Sequence, residues 1–498
     1  MTENNVQKLI TRKSLWFLMA ASLLVSLFIG LQTDIRFDEG YTLDTTSRGI
    51  IYAYHQAVGF EEQAPLYFIL LSIWRMLDSS VLFARLFSIL LAPFIVWAAA
   101  ETAKRYLKNI DPILPAAVIA VSSQMIWSSI EIRLYALMLL LACLILTAFY
   151  DAFVERNASF RTRFVFVIVC VASIYTQYFL GFLMVGCGIV VLTVTRHSIR
   201  SFLIATAAIV LASVPMLFIL AGQMSEVKGH SESVYGGLPL MRSIYQLTTA
   251  MIVPLEWITN DLFRSWTLRI VALVTAAGLL IRWVKKPDRD TVALTTITAV
   301  AVVFLTAANY YLGEHGVQHR HFSVALVPLV LITFAAFHQF TSRKLIYALT
   351  VFLVLANLGH VIWTNWNLAK PGDSRRVAQF IATNESDNEP VLIFHSDAVL
   401  AIREYYRGKN KLVPLPQENS FVEWNPRNNV IRDEGQLKTA IDAAGDAKRF
   451  WLVTDGWCFQ GSLLFNCDIL EEHIAKNFRV IDEHKFLEPT TVRLIERR

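Results

Sequence analysis

The run LWFLMAASLLVSLFIGL, residues 15–31, followed at once by QTDIRFDEGY, residues 32–41, decides the fold of this chain. An apolar run of this kind suits a helix that crosses the ~30 Å hydrocarbon core of a bilayer, for which about 20 residues are needed. The run is too long for the apolar part of a removable signal peptide, and no convincing small-residue cleavage site follows it. We therefore interpret residues 14–32 as a retained first membrane span with a polar loop directly behind it.

The composition of the whole chain agrees with this interpretation. Of 498 residues, 55% are hydrophobic and only 17% are charged, whereas a soluble chain usually carries about 25% charged residues. The net charge of +5 is modest, and the lysines and arginines stand beside apolar blocks, as topology determinants do. A nucleic-acid-binding protein would instead gather them on one face. The composition predicts a polytopic membrane protein and argues against a nucleic-acid partner.

The apolar blocks recur along the chain and predict about eleven spans. They cover residues 14–32, 80–102, 112–130, 134–154, 164–178, 179–195, 201–221, 267–284, 292–310, 322–341 and 344–363. Two further apolar segments, 64–77 and 243–260, contain charged residues and proline and are predicted to lie in the membrane interface. With both segments outside, every basic cluster falls on the side of the N-terminus, which the positive-inside rule makes the cytoplasm. The sequence thus predicts an all-α transmembrane bundle with the N-terminus inside and the C-terminus outside.

Three polar segments then face the outside, namely loop 33–79, loop 222–266 and the tail 365–498. We expect two units, a transmembrane core of residues 1–365 and an extracytoplasmic α/β domain of residues 366–498. The strand-like runs of the tail are Val391–Phe394, Phe450–Val453 and Thr491–Ile495, and its helical stretches include Ser374–Ala382 and Gln436–Ala444.

The five cysteines are too few for a disulfide framework. Cys143, Cys170 and Cys187 fall inside apolar spans, where a small buried side chain is the ordinary interpretation. Cys458 and Cys467 lie in the polar tail, and a disulfide between them is expected if the tail is outside the cytoplasm.

The first external loop carries adjacent carboxylates, Asp38 and Glu39, directly after the first span. One hypothesis is a general base that takes a proton from an acceptor hydroxyl or amine, with its neighbour orienting a substrate or a metal. The alternative is the first turn of a helix, where acidic residues favour the helix dipole. Further along the loop, Glu61 and Glu62 precede an interfacial segment that contains Tyr67, and a capped interfacial helix would explain them equally well.

Three tight external turns add further polar residues. Glu131, Arg133 and Tyr135 stand in a turn between two spans, where ionisable residues are costly unless they are paired or face water. Tyr178 lies in a second turn, where an ordinary interfacial anchor is the alternative. The third turn holds His315, His319, Arg320 and His321, whose guanidinium and imidazoles favour a phosphate over a metal. All of these clusters fall on the external side of a topology derived without them, which indicates a substrate that arrives through the membrane.

The order of these features resembles the C-type glycosyltransferases, in particular bacterial members of the dolichyl-phosphate-mannose protein mannosyltransferase superfamily, which includes the lipid A aminoarabinose and galacturonic acid transferases. The resemblance covers roughly residues 1–365 and rests on the Asp-Glu loop, the Pro-Leu-Tyr segment, Glu-x-Arg-x-Tyr, Tyr-x-x-Tyr-Phe and Arg-His-Phe. Relatives more often read Glu-Ala-Arg-Met-Tyr at 131–135. They often have His-Pro-Pro-Leu where this chain has Gln63-Ala64-Pro65-Leu66. The loss of that histidine weakens the case for a metal.

The resemblance implies transfer of a sugar from a polyprenyl-phosphate donor on the outer face of the cytoplasmic membrane. It gives Asp38 the catalytic role and makes Glu39 its companion, with Arg320 and Arg133 stabilising the leaving phosphate. The expected substrate-binding residues are Glu62, Tyr67, Glu131, Arg133, Tyr135, Tyr178, His319, Arg320 and His321. No cofactor is expected with certainty, and a divalent metal stays open. The acceptor is a glycolipid such as lipid A or lipopolysaccharide core, a glycan or a protein. The alternatives are a transporter or flippase for lipid-linked sugars, and a non-catalytic scaffold.

Overall fold

The computed structural model describes the chain apart from residues 1–2, 157, 232–250, 286–287, 317–318, 339–342, 423–424, 461–462 and 488. The first part of the chain is helical. Its helices are α1 Glu3–Gln32, α2 Phe37–Thr45, α3 Ile50–Gly59, α4 Leu66–Arg75, α5 Val81–Ile89, α6 Ala92–Tyr106, α7 Ile113–Ala120, α8 Ser123–Ile130, α9 Tyr135–Phe149, α10 Phe160–Ile174, α11 Gly181–Thr193, α12 Ile199–Ser231, α13 Asp261–Lys285, α14 Arg289–Gly316, α15 Leu326–Phe337 and α16 Arg343–Thr364.

Eight helical segments among the described residues are long and apolar enough to cross a membrane. They are Arg12–Gln32, Val81–Tyr106, Tyr135–Val154, Arg196–Met224, Asp261–Lys285, Arg289–Tyr311, Arg320–Phe337 and Lys344–Thr364. The pair α7 and α8, bent by 52°, makes a ninth segment if it is counted as one span. The protein is therefore a multi-pass membrane protein, and the predicted helical bundle is confirmed.

The two remaining predicted spans, 164–178 and 179–195, form the shorter helices α10 and α11 of 15 and 13 residues. At 1.5 Å per residue each is only about 20 Å long, which is short for a ~30 Å core. The interfacial segment 64–77 forms α4, whose 10 residues are too few to cross. Residues 243–250 of the segment 243–260 lie outside the described residues.

Close contacts between helices depend on small side chains. Gly186 of α11 faces Ile297 of α14, and a Cβ at this glycine would lie 2.7 Å from the Ile297 Cα. Any larger residue would push the two helices apart, as is common where membrane helices pack through glycine.

The tail folds as a mixed sheet with helices on its faces. Its elements are α17 Ser374–Asn384, β1 Val391–Phe394, α18 Ala398–Tyr405, β2 Leu412–Leu415, α19 Glu434–Asp442, β3 Arg449–Thr454, β4 Phe459–Gln460, β5 Leu463–Leu464, α20 Cys467–Asn477, β6 Phe478–Lys485 and β7 Thr491–Arg497. The main sheet has the order β2-β1-β3-β7-β6, with β1 parallel to β2 and β3. Strand β7 is antiparallel to both β3 and β6. The small α/β architecture expected for the tail is confirmed.

The central strand β1 is buried on both faces, which explains its uninterrupted apolar sequence. Leu392 and Phe394 pack into a core formed by the tail alone. Val391 and Ile393 point the other way, into a second core that also contains Tyr41 and Phe60 of the first external loop. This side of the sheet therefore shares one core with the loop that carries the predicted catalytic residues, and the helix α18 contacts α2.

Cys458 and Cys467 form a disulfide in this structure, and the short hairpin of β4 and β5 lies between them. Cys143, Cys170 and Cys187 are free and buried.

Candidate active site

The loop of residues 33–79 starts from a helix end that is capped by a buried arginine. Arg85 projects from α5, is almost fully buried, and donates from Nη1 to the carbonyl oxygens of Gly30 at 2.7 Å and Thr33 at 2.6 Å. Its Nη2 donates to the Asp34 carbonyl oxygen at 2.6 Å. These bonds satisfy carbonyl groups that the end of α1 leaves without helical partners. Arg85 therefore fixes the direction in which the chain leaves the membrane.

Glu39 is the internal anchor of α2 and is completely buried. The backbone N–H of Arg36 donates to its Oε2 at 2.9 Å, and the backbone N–H of Ile132 donates to its Oε1 at 3.0 Å. Arg85 Nη2 lies 3.4 Å from Oε1, and Lys370 Nζ donates to Oε2. Burial alone would raise the pKa of Glu39, but the charges of Lys370 and Arg85 outweigh it and lower the pKa. Both carboxylate oxygens are thus occupied by protein donors.

Glu131, predicted to bind substrate, belongs to the same buried cluster. Its Oε1 lies 2.9 Å from Lys370 Nζ, so this lysine bridges Glu131 and Glu39. Burial and the nearby charge of Glu39 raise the pKa of Glu131. A proton taken up by this cluster therefore goes to Glu131 before Glu39.

Asp38 faces a different partner, because neighbouring residues of a helix point in different directions. Its Oδ2 accepts a hydrogen bond from Arg320 Nη1 at 2.5 Å. The two side chains keep 27% and 26% of their surface exposed, in contrast to the fully buried Glu39. Burial would raise the pKa of Asp38, but Arg320 and then Arg133 lower it to about 2. Asp38 is therefore ionised at neutral pH, and its side chain is accessible to a molecule from outside the protein.

Arg133 holds α2 from the opposite side and is nearly buried. Its Nη1 lies 2.7 Å from Glu61 Oε2 and 2.8 Å from Thr42 Oγ1. The same nitrogen donates to the Asp38 carbonyl oxygen at 3.3 Å. Thr45 at the end of α2 donates to the other oxygen of Glu61 at 3.2 Å. Arg133 and Glu61 thus fasten the helix that carries Asp38.

Aromatic rings lie next to Arg320 and next to its neighbour His321. Its guanidinium carbon lies 5.7 Å from the centre of the Tyr135 ring, close enough for a cation–π contact. The buried His321 packs against Phe179 with ring centres 4.9 Å apart, and 6.4 Å separates it from the Tyr135 ring. Arg320 is therefore held by an aromatic ring as well as by Asp38.

The structure joins Asp38, Glu39, Glu131, Arg133, Tyr135 and Arg320 in one connected network, to which His321 adds through Tyr135. The buried hydroxyl of Tyr67 pairs with Ser88 Oγ at 3.3 Å. Tyr178 donates to Gln223 Oε1 at 2.9 Å, which ties it to α12. The side chain of His319 lies outside the described part of the structure.

Three members of the network were not among the predicted site residues. Glu61 pairs with Arg133 and is not among the predicted residues, while its neighbour Glu62, predicted to bind substrate, adopts a positive φ of 50°. Arg85 had a signal in the sequence, because a charged residue inside an apolar block is expensive and usually paired. Lys370 had one as well, since it follows a span on the predicted external side, where lysine is less common.

Within the described ranges, no three His, Cys, Asp or Glu side chains approach one another closely enough to hold a metal ion. The charged groups that are present pair with one another instead.

The helical bundle that carries this carboxylate–arginine site has the fold of the C-type membrane glycosyltransferases. In sequence, no family model and no curated protein matches the chain. In structure, it is similar to ArnT from Cupriavidus metallidurans bound to undecaprenyl phosphate, with a TM-score of 0.58 and 13% identity over 96% of this chain and 97% of that one. It is also similar to the archaeal oligosaccharyltransferase AglB from Archaeoglobus fulgidus in complex with an inhibitory peptide and a dolichol-phosphate. That likeness has a TM-score of 0.50 and 11% identity, over 88% of this chain and 69% of that one. The resemblance noted in the sequence is thus confirmed for the fold.

Proposed function

We propose that the protein is a membrane glycosyltransferase that moves a sugar from a polyprenyl-phosphate donor to a glycolipid, glycan or protein on the outer face of the cytoplasmic membrane. The observation that carries this proposal is the Asp38–Arg320 pair. Its carboxylate and guanidinium are partly exposed at the edge of an otherwise buried charged network. Similar structures in complex with undecaprenyl phosphate and dolichol-phosphate support the choice of a lipid phosphate.

In the proposed reaction an acceptor hydroxyl or amine attacks the anomeric carbon of the sugar. The bond from the acceptor oxygen or nitrogen to that carbon forms while the bond from the carbon to the phosphate oxygen breaks. The electron pair leaves with the lipid phosphate, and the acceptor proton passes to the carboxylate of Asp38. A single displacement of this kind inverts the anomeric centre.

Arg320 has two duties in this scheme. Before the donor arrives it pairs with Asp38 and lowers the pKa of that carboxylate to about 2, which makes Asp38 a weak base. A lipid phosphate competes for the same guanidinium, because arginine binds phosphate through charge-assisted hydrogen bonds. As Arg320 turns to the phosphate, the pKa of Asp38 rises towards its ordinary value. The donor thereby activates the base and meets the charge that stabilises its own leaving group.

The buried residues have a different proposed role. The carboxylate of Glu39 is enclosed by protein donors, and Arg133 is committed to Glu61 and Thr42. We infer that these two residues hold α2 in place and that Asp38 alone of the acidic pair meets the acceptor.

The test uses the full-length protein purified in detergent, a labelled polyprenyl-phosphate sugar and an envelope lipid extract as acceptor. Asp38→Asn should reduce transfer by about 10²- to 10⁴-fold, the usual contribution of a general base. The matched control is Asp44→Asn in the same helix, with a side chain 23% exposed, which should keep the wild-type rate.

Two results would count against the proposal. Full transfer by Asp38→Asn at normal folded yield would remove Asp38 from the chemistry. Movement of labelled lipid across vesicles by the wild type, without any transfer of sugar, would favour a flippase or transporter instead.

The same proposal places the tail outside the cytoplasm and the N-terminus inside. The Cys458–Cys467 disulfide supports this arrangement, because such bonds persist in oxidising compartments. Reporter fusions at the two ends of the chain, one type active only in the cytoplasm and one only outside it, test the orientation.

A further inference from the structure

Lys370 lies at the start of the tail, six residues beyond the last residue of α16, Thr364. Nevertheless it is 6% exposed and reaches into the charged network of the first external loop. Its Nζ bridges the carboxylates of Glu39 and Glu131, and its backbone N–H donates to Asp34 Oδ1 at 2.6 Å. Lys370 of the tail thus contacts Asp34, which precedes α2, and Glu39, which lies in the first turn of α2.

The Lys370 bridge reduces the repulsion between two buried carboxylates. Glu39 and Glu131 are both buried, and two carboxylates in such a site repel each other unless a cation or a proton separates them. The other titratable and charged groups near this pair are Arg36, Arg85, Tyr67, Tyr135 and Asp34 from the bundle side and Tyr405 from the tail, with Asp373 of the tail beside Asp34. Arg85 is already occupied by three backbone carbonyls. Lys370 is therefore the cation that serves both carboxylates.

A second contact between the tail and α2 acts in the same direction. Tyr41 donates to Asp397 Oδ1 at 2.5 Å, and Asn429 donates to the other oxygen of that carboxylate at 2.9 Å. Glu39 and Tyr41 are the first and third residues after Asp38 in α2. The tail therefore contacts α2 at two residues within one helical turn of Asp38, while the Asp38 side chain pairs with Arg320.

We propose that Lys370 is a positioning residue, through which the tail holds α2 so that Asp38 lies in register with Arg320. This inference rests on the proposed transferase activity and adds a specific role for the tail within it. Lys370 does not touch the substrate in this scheme. It acts through Glu39, which shares its helix with Asp38.

The decisive variant is Lys370→Met, which keeps the long apolar stem and removes the charge. Because a displacement of about 1 Å costs about 100-fold in rate, we expect kcat to fall by about that factor while KM for the lipid donor changes little. Lys409→Met in the tail, whose side chain is 87% exposed, is the matched control and should keep the wild-type rate.

The proposed role of Lys370 makes two further predictions that would not hold for a lysine that only supports the fold. Adding Glu131→Gln to Lys370→Met removes the second carboxylate and should restore most of the activity. Lowering the pH should also restore the activity of Lys370→Met relative to wild type, since Glu131, with its raised pKa, then takes up the proton that replaces the lysine charge. The double variant carries no uncompensated pair of buried carboxylates, so it also serves if the single variant folds poorly.

Three results separate the outcomes. Wild-type kcat in Lys370→Met overturns the role of Lys370 while leaving the transferase proposal intact. A loss that neither Glu131→Gln nor acid pH reverses overturns it as well, because it shows that the lysine only supports the fold. Absence of sugar transfer in the wild type, with every variant equally inactive, overturns the proposed function instead.

Discussion

Glu39→Gln and Asp38→Asn should have different effects, the first mainly on stability and the second mainly on the rate of transfer. The two oxygens of Glu39 accept hydrogen bonds from two backbone N–H groups, those of Arg36 and Ile132. An amide has a single oxygen, so one buried N–H must face an NH2 group and loses its partner. That loss costs about 1–3 kcal/mol, and the weakened bond from Lys370 adds about 1.5–3 kcal/mol. We expect Glu39→Gln to lower the free energy of unfolding by about 3–5 kcal/mol, within the range for breaking a buried ion pair.

Asp38→Asn should show the opposite pattern. Its partner Arg320 is partly exposed, as Asp38 itself is, so the pair contributes about 1 kcal/mol at most to stability. The loss of the proposed base, by contrast, costs about 10²- to 10⁴-fold in rate. The assay measures thermal inactivation in detergent together with the initial rate of sugar transfer per folded molecule. Equal losses of stability in the two variants, or a wild-type midpoint for Glu39→Gln, would refute the division of labour between these residues.

Three further predictions follow from individual contacts. Arg320→Gln removes the main charge that lowers the pKa of Asp38 to about 2 in the free enzyme, so as the pH is lowered the residual kcat/KM should decline at a higher pH than in the wild type, which a pH profile of kcat/KM measures. Tyr41→Phe removes the hydrogen bond to Asp397 and should cost about 1 kcal/mol, seen as faster limited proteolysis of the tail, whereas an unchanged rate would speak against this contact. Cys458→Ser opens the tail disulfide and should lower tail stability by about 2–3 kcal/mol; thiol labelling under denaturing conditions should find three reactive cysteines in wild type and four in the variant.

The fold could be predicted largely from the sequence because its main signals are local. Apolar blocks such as residues 15–31 must be buried in lipid as helices, and a short run such as Val391–Phe394 in a polar tail must be a covered strand. The helices α10 and α11 show the limit of this argument. Their apolar residues are continuous enough to predict spans, but the turn at 175–180 consumes residues that would otherwise lengthen them.

The site was predictable only in part, since its contacts join distant segments. Asp38, Arg133 and Arg320 could be placed on one face of the membrane from topology alone. Which acid meets which base depends on side-chain direction, and the backbone turn at Glu62 brings Glu61 to Arg133. Lys370, one of the partners of Glu39, lies 331 residues away in the chain, and no local pattern specifies such a pairing.

The contact between Lys370 and the first loop has a consequence for the synthesis of the protein. The backbone bond from Lys370 to Asp34 joins residues 336 positions apart. At about 5–20 residues per second, the ribosome needs roughly 15–70 s to make the intervening chain. Throughout that interval Asp34 and Glu39 lack their contacts with Lys370, while the remaining spans are inserted one after another. The last span must be made before Lys370 can bind Asp34 and Glu39, so an incompletely synthesised chain cannot carry an assembled site.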